Sequence, residues 1–305
     1  MGPLARLGAR VARIPPVWLV VASILAVQVG SSVAKILLGV VAPVQVAALR
    51  LTFGALILIL AAPPRLGGRR WRDWAVVVGY GACLAVMNLA FYAAIERIPI
   101  GTAVTIEFLG PLAVAVFGSQ RARDLVWALL AALGVALLGF DSSRFDLVGA
   151  GFALLAATGW AGYIVLARGV GRSWEGISGL TVATLVGAVS VVPLALHDGG
   201  ELWRPWIVGA GAGVGLMSTA LPYGLELVAL RKIRPGVFGI LMSLEPAAAA
   251  LAALVILQEL LSPVELIAMA LVIAASVGAT RAGARLSDGE ASESVGVADD
   301  GEREG

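Results

Sequence analysis

Apolar residues run in blocks of about 20 along most of this chain, and short clusters of Arg, Asp, Gly and Pro separate them. A helix needs about 20 apolar residues to cross a hydrocarbon core, so each block predicts one transmembrane helix. Ten segments meet or nearly meet that length: 17–38, 44–62, 74–95, 101–118, 125–140, 147–167, 177–196, 206–228, 236–257 and 263–280. The loops between them are short, which leaves no room for a soluble catalytic domain.

The pattern repeats. Trp71-Arg72-Asp73-Trp74 opens one apolar block, and Trp203-Arg204-Pro205-Trp206 opens another 132 residues later. About 40 residues past each tetrad an apolar helix is interrupted, by Gly110-Pro111 in the first half and by Glu245-Pro246 in the second. A shift of 135 residues aligns Ala94 with Ala229, Ile98 with Ile233, Gly101 with Gly236 and Pro111 with Pro246. With five spans in each half, the second half must lie upside down relative to the first. Inverted repeats with broken helices near the midplane are the architecture of secondary transporters.

Composition agrees with a bilayer setting: 59% of the 305 residues are hydrophobic and 14% charged, against roughly 25% charged in soluble domains. Charge also gives an orientation. Seventeen of the 22 basic residues fall in the amino terminus, in the loops holding Arg65 to Arg72, Arg121 and Arg123, Arg168 and Arg172, and Arg231 to Arg234, and in the carboxyl tail. All of these lie on one side of the ten-span plan, while the opposite loops hold Arg97, Arg144 and Arg204. The basic side is read as cytoplasmic, with both termini inside.

Several features carry no chemistry of their own. A cleaved signal peptide competes for the amino terminus, but the stretch after Arg13 is about 22 residues long and ends at Ser31, Ser32 and Lys35 without a clear small-residue cleavage site. It is read as a retained span. Cys83 is the single cysteine, and His197 is the single histidine and lies beside Asp198 in an outer loop, so the chain offers no cysteine-based metal site and no cofactor is expected. The alternating Gly209, Gly211, Gly213 and Gly215 follow no strand and lack phosphate-loop spacing, and they read as helix-packing positions. Residues 281–305 are acidic and rich in Gly, Ser and Ala, which predicts a disordered cytoplasmic tail. The pI near 9.0 reflects single loop arginines flanking spans and makes no case for nucleic acid.

Charges within the spans are the candidate chemistry. An ionised carboxylate at the bilayer centre costs roughly 2.5–3.5 kcal/mol even on lenient scales, so Glu107, Glu226 and Glu245 must face protein or water. Glu245 is the most central. Pro246 strips the Met242 carbonyl of its helical donor, and Pro111 does the same to Glu107, so both breaks suit a polar cavity. Glu107 lies nearer the outer end of its span, where it could snorkel, and Glu226 reads as a helix-end ion pair beside Arg231. Asn88 and Tyr92 share a face of the third span, and Ser218, Thr219, Pro222 and Tyr223 occupy the matching part of the eighth. Lys35 and Arg50 read as snorkelling anchors.

Asn88 to Tyr92, Ile98-Pro99-Ile100-Gly101 and Glu107-Phe108-Leu109-Gly110-Pro111-Leu112-Ala113-Val114-Ala115 resemble the first-repeat signature of the threonine/homoserine exporter group, within the EamA branch of the drug/metabolite transporter superfamily. Ser218 to Tyr223 with Glu226, and Phe238 to Ala247, resemble its second-repeat signature. The resemblance covers residues 17–280. Gln258 stands before Glu259 where the pattern has glycine, and the acidic tail lies outside the pattern.

The resemblance implies an all-α membrane protein of ten transmembrane helices in two inverted five-helix EamA repeats. The expected divisions are a cytoplasmic segment at 1–16, a first repeat at 17–140, a second at 147–280 and the tail at 281–305. The expected substrate-binding set is Asn88, Tyr92, Glu107, Gly110, Pro111, Ser218, Thr219, Tyr223, Glu245 and Pro246, with Glu245 and Glu107 carrying protons. The implied function is secondary active export of small amphipathic metabolites, threonine, homoserine or related amino acids, across the bacterial cytoplasmic membrane. The partners are then the solute, protons and lipid, and the pattern is compatible with a homodimer. An uncoupled facilitator, or a transporter of a nucleotide precursor or lipophilic cation, would share the same fold. A membrane-embedded enzyme would need a catalytic dyad or metal cluster, and the spans hold no paired His, no His-Glu-x-x-His and no Ser-Lys or Asp-Asp arrangement.

Overall fold

The computed structural model describes residues 14–118, 125–138, 146–197, 201–230 and 232–281. The expectations for the amino-terminal segment, for Arg121 and Arg123, for Arg231 and for the tail beyond residue 281 lie outside the described residues. The described residues form helices α1 (Pro16–Leu38), α2 (Pro43–Ala61), α3 (Trp71–Ile95), α4 (Ile100–Glu107), α5 (Leu109–Gly118), α6 (Leu125–Leu138), α7 (Leu147–Ser173) and α8 (Ser178–Ala195). They continue with α9 (Pro205–Gly215), a π-helical turn (Leu216–Ala220), α10 (Leu221–Leu230), α11 (Pro235–Met242), α12 (Glu245–Leu257) and α13 (Pro263–Arg281).

Nine stretches among the described residues are long and apolar enough to cross a membrane, with α4 and α5, α9 and α10, and α11 and α12 each forming one interrupted stretch. The expected fifth span is the exception. Helix α6 has 14 described residues, about 21 Å at 1.5 Å per residue, which is short of a 30 Å core. Helix α7 runs six residues beyond the expected end, because Arg168-Gly169-Val170-Gly171-Arg172-Ser173 keeps the helical ladder and buries Val170, with Arg172 in the last turn where a cation complements the free carbonyls.

The ends follow local chemistry. Proline begins α1, α2 and α9, where its missing amide leaves no bond unmade. Asp146 caps α7, accepting from the amides of Val148 at 2.7 Å and Gly149 at 3.0 Å. Those amides, with Arg97 at 3.7 Å, hold the Asp146 carboxyl below the usual aspartate range.

The helices are apolar outside and carry their polar groups inside. On α1, Trp18, Leu25, Val29 and Ile36 are exposed, while Ser23, Gln28, Ser31 and Ser32 are buried. Leu60, Phe117 and Leu129 are likewise exposed. Water would not tolerate such a surface, whereas lipid makes it ordinary.

The two halves interlock. Helix α1 packs along α9, the π turn and α10; α3 packs along α7; α2 faces α8; and α4 lies between α7 and α12. Glycines allow backbone to approach backbone at these crossings. A Cβ on Gly81 would lie 2.6 Å from the Ala183 carbonyl, and one on Gly159 would lie 2.9 Å from the Met87 amide. Of the alternating glycines, Gly211 meets Leu49 and Gly215 meets Phe53 and Gly54 on α2, while Gly209 and Gly213 face open space.

Candidate functional site

The interlocked helices enclose a cavity of about 950 Å³, with walls from both halves of the chain. The two broken spans bring carboxylates to its edge. Helix α4 ends at Glu107, and α5 starts at Leu109 after one residue. Helix α11 ends at Met242, and Glu245 opens α12 with Pro246 behind it. Pro111 and Pro246 lack the amides that would bind the carbonyls four residues back, so each ladder stops where the sequence places a carboxylate or its near neighbour. Glu107 and Glu245 are buried from the outer surface and line the cavity. Ser243 steadies the second break, its hydroxyl donating to the Gly239 carbonyl at 2.9 Å and lying 2.8 Å from the Ser276 hydroxyl.

Six of the ten residues singled out in the sequence line the cavity: Asn88, Glu107, Pro111, Ser218, Tyr223 and Glu245. The other four lie behind its wall. Tyr92 and Thr219 are buried and support Arg50, whose Nη1 donates to the Tyr92 hydroxyl and whose Nε donates to Thr219 Oγ1, each at 3.4 Å. Gly110 packs against α7, where an added Cβ would lie 2.2 Å from the Ala157 carbonyl oxygen. Pro246 is buried in the first turn of α12.

Three side chains at the cavity behave differently from their sequence reading. Glu107 does not snorkel and is 7% exposed. Glu226 lines the cavity and accepts from Ser23 Oγ at 2.5 Å across to α1. Arg50 is also no interfacial anchor: it is 8% exposed, and its Nη2 donates to the Ser218 carbonyl at 2.8 Å. The sequence carried a signal for that contact. Pro222 cannot donate to the carbonyl four residues back, so Ser218 is left with a free acceptor inside the π turn. Lys35 stays near the end of α1 but is not a solvated anchor, since its Nζ meets Glu259 at 2.6 Å and donates to the Ile98 carbonyl at 2.9 Å.

Three polar atoms of cavity-lining residues have no hydrogen-bond partner: Asn88 Oδ1, Ser218 Oγ and Glu245 Oε2. Asn88 Nδ2 donates to the Leu84 carbonyl at 2.8 Å, which leaves the amide oxygen as the free end. Orphaned buried acceptors are costly unless something arrives to satisfy them. Aromatic walls come from Trp160, which meets Phe108 edge-on at 5.5 Å, and from Tyr163, stacked on Tyr80 at 4.8 Å. No group of three or more His, Cys, Asp or Glu among the described residues could hold a metal ion.

Comparison with known proteins matches this architecture. The chain is 42% identical over 274 residues to the threonine/homoserine exporter RhtA of Escherichia coli strain K12, covering 87% of this chain and 92% of that protein. The chain belongs to the EamA-like transporter family. Residues 147–281 match the family directly. The Salmonella typhimurium threonine/homoserine exporter RhtA is 41% identical over the same length, and the uncharacterized Bacillus subtilis transporter YwfM is 28% identical over 245 residues, 76% of this chain and 82% of that one. A crystal structure 20% identical in sequence superposes with a TM-score of 0.63 over 89% of this chain and 98% of its own, which establishes the shared fold. The EamA-like chain is thus a multi-pass membrane transporter and not an enzyme.

Proposed function

We propose that this transporter exports threonine, homoserine or closely related amino acids across the bacterial cytoplasmic membrane by secondary active transport coupled to protons. The observation that carries the reading is the cavity itself, between two interrupted spans and lined by Glu107, Glu226 and Glu245 with polar groups from both halves. Its size suits a small solute, and the relatives named as threonine/homoserine exporters match nearly the whole chain.

The topology in this reading is ten spans in two inverted repeats with both termini cytoplasmic, and packing supports it. The 135-residue shift carries α1 onto α7 and α3 onto α9–α10; the contacts of α1 with α9–α10 and of α3 with α7 are then one contact seen twice. The cavity lining reaches Gly118, Arg168 and Thr280 near the ends of α5, α7 and α13, on the arginine-rich side, which corresponds to an inward-facing state.

A proton entering as a neutral zwitterion leaves moves one net charge inward, worth about 2.3 kcal/mol per 100 mV. At 1.4 kcal/mol per decade that sustains a gradient of roughly forty-fold. A buried carboxylate can carry that proton, and Glu245, with its unpartnered oxygen, is the assigned carrier. Accumulation of labelled threonine and homoserine in inside-out vesicles tests the reading. Glu245→Gln is expected to insert normally and to abolish the response of flux to an imposed pH gradient. Proton-driven flux unchanged in that variant overturns the coupling role.

A further inference from the structure

We infer that Arg50 is the receptor for the carboxylate of the transported solute, and that the cavity recognises an α-amino acid end to end as a zwitterion. The inference rests on the proposed amino-acid cargo and assigns the group that reads it. Arg50 comes from the middle of α2 and faces the cavity. It is a permanent cation, and among the described residues no carboxylate lies within ion-pair distance of it. Glu107 and Glu245 act on it only from beyond contact, and a buried charge is best held by a directly paired counter-ion, so the fork lacks its anionic partner.

Geometry says what would complete it. The guanidinium has five N–H donors in a planar fork. Three are directed at protein acceptors, and only the bond to the Ser218 carbonyl is short; those to Tyr92 and Thr219 are both 3.4 Å. These neutral contacts fix the plane of the fork and leave donors on Nη1 and Nη2 for an anion. A carboxylate takes such a fork in a two-pronged pair, an arrangement that an ammonium or hydroxyl cannot copy.

Two of the unpartnered polar atoms answer the other end of the same molecule. Asn88 Oδ1 and Glu245 Oε2 are buried acceptors on the cavity walls without donors. An α-ammonium supplies three donors to such acceptors. A lipophilic cation would leave Arg50 uncompensated, and a simple carboxylic acid would leave both acceptors orphaned. Only a solute with both charges satisfies Arg50 and both of these acceptors.

The test measures binding to the purified, detergent-solubilised transporter by thermal stabilisation, using threonine, homoserine, alanine and phenylalanine, each beside its carboxamide. The expected result is that whichever acid binds, its amide binds at least tenfold more weakly, since a charge-assisted pair is worth about one to two decades. Arg50→Gln should close that gap by weakening the acid, and Arg50→Lys should keep part of it, having the charge without the fork. Equal binding of acid and amide to the native protein overturns the inference, as does a gap that persists in Arg50→Gln. The native comparison stands even when the variants fail to fold. If threonine and homoserine do not bind but another acid shows the gap, the cargo reading fails while the role of Arg50 is upheld. Binding by none of the acids overturns both.

Discussion

At the scale of single residues, backbone conformation and close approach decide more than side-chain type. Gln258 is the one non-glycine residue among those described with positive φ, at 57°. It ends α12, and the amide of Glu259 returns to the Ala253 carbonyl at 3.2 Å in the closure that glycine usually makes. A left-handed glutamine costs about 1 kcal/mol, partly offset by the extra freedom glycine loses on folding. Gln258→Gly is therefore expected to raise the melting temperature of the purified protein by about 1–3 °C, and a lowered value would refute the strain. Gly110 illustrates the opposite limit. Its missing Cβ admits the Ala157 carbonyl of α7, and a backbone atom cannot rotate away. Gly110→Ala should cost about 1–3 kcal/mol, seen as lower abundance and thermal stability. If instead the folded variant loses affinity at unchanged stability, Gly110 belongs to the binding surface and not to the packing.

At the scale of elements, the end of the molecule opposite Arg168 is tied by one compact cluster. Lys35 on α1 pairs with Glu259 beyond α12 and reaches the Ile98 carbonyl, while the other Glu259 oxygen accepts from the Ile100 amide at 3.2 Å. Glu265 on α13 takes the Thr102 hydroxyl at 2.6 Å one turn deeper. The pair joins helices from both halves, and its side chains are 20% and 22% exposed, so it is screened less than a surface pair. Its loss is expected to shift the balance toward opening at this end by about 1 kcal/mol, or fivefold. In a Cys83→Ser background, a cysteine at Thr102 should react about five times faster with an impermeant maleimide when Lys35→Met is added. An unchanged rate would show that the pair plays no part in closing that end.

At the scale of the whole molecule, each buried hydrophobic cluster among the described residues draws on both halves. The largest buried cluster draws Val46, Tyr92 and Ile106 from the first half together with Ala153, Val214 and Ala249 from the second. Residues 1–140 and 141–305 expressed as separate chains should each be degraded, and should recover stability and transport when co-expressed. Stable, folded accumulation of either half alone would contradict the interlocked packing.

The sequence by itself determined the order of the apolar blocks, nine of which are long enough among the described residues to cross a membrane, because crossing lipid imposes a length and forbids unpaired backbone. It determined the breaks at Pro111 and Pro246, since proline acts locally, and the isolated carboxylates beside them, since their cost in lipid does not depend on partners. The shared face of Asn88 and Tyr92 was legible from helical periodicity, but which of the two reaches the cavity was not. Only the tertiary structure decided that α1 lies along α10, that Gly110 serves packing, and that Arg50, Glu226 and Lys35 meet groups far away in the chain, as Arg50 does the Ser218 carbonyl 168 residues on and Glu226 the Ser23 hydroxyl 203 residues back. The physical reason is that a charge in a span reads the same whether it snorkels to water or is held by a distant carbonyl. The choice rests on which helix lies alongside, and that is fixed by the packing of all the spans at once.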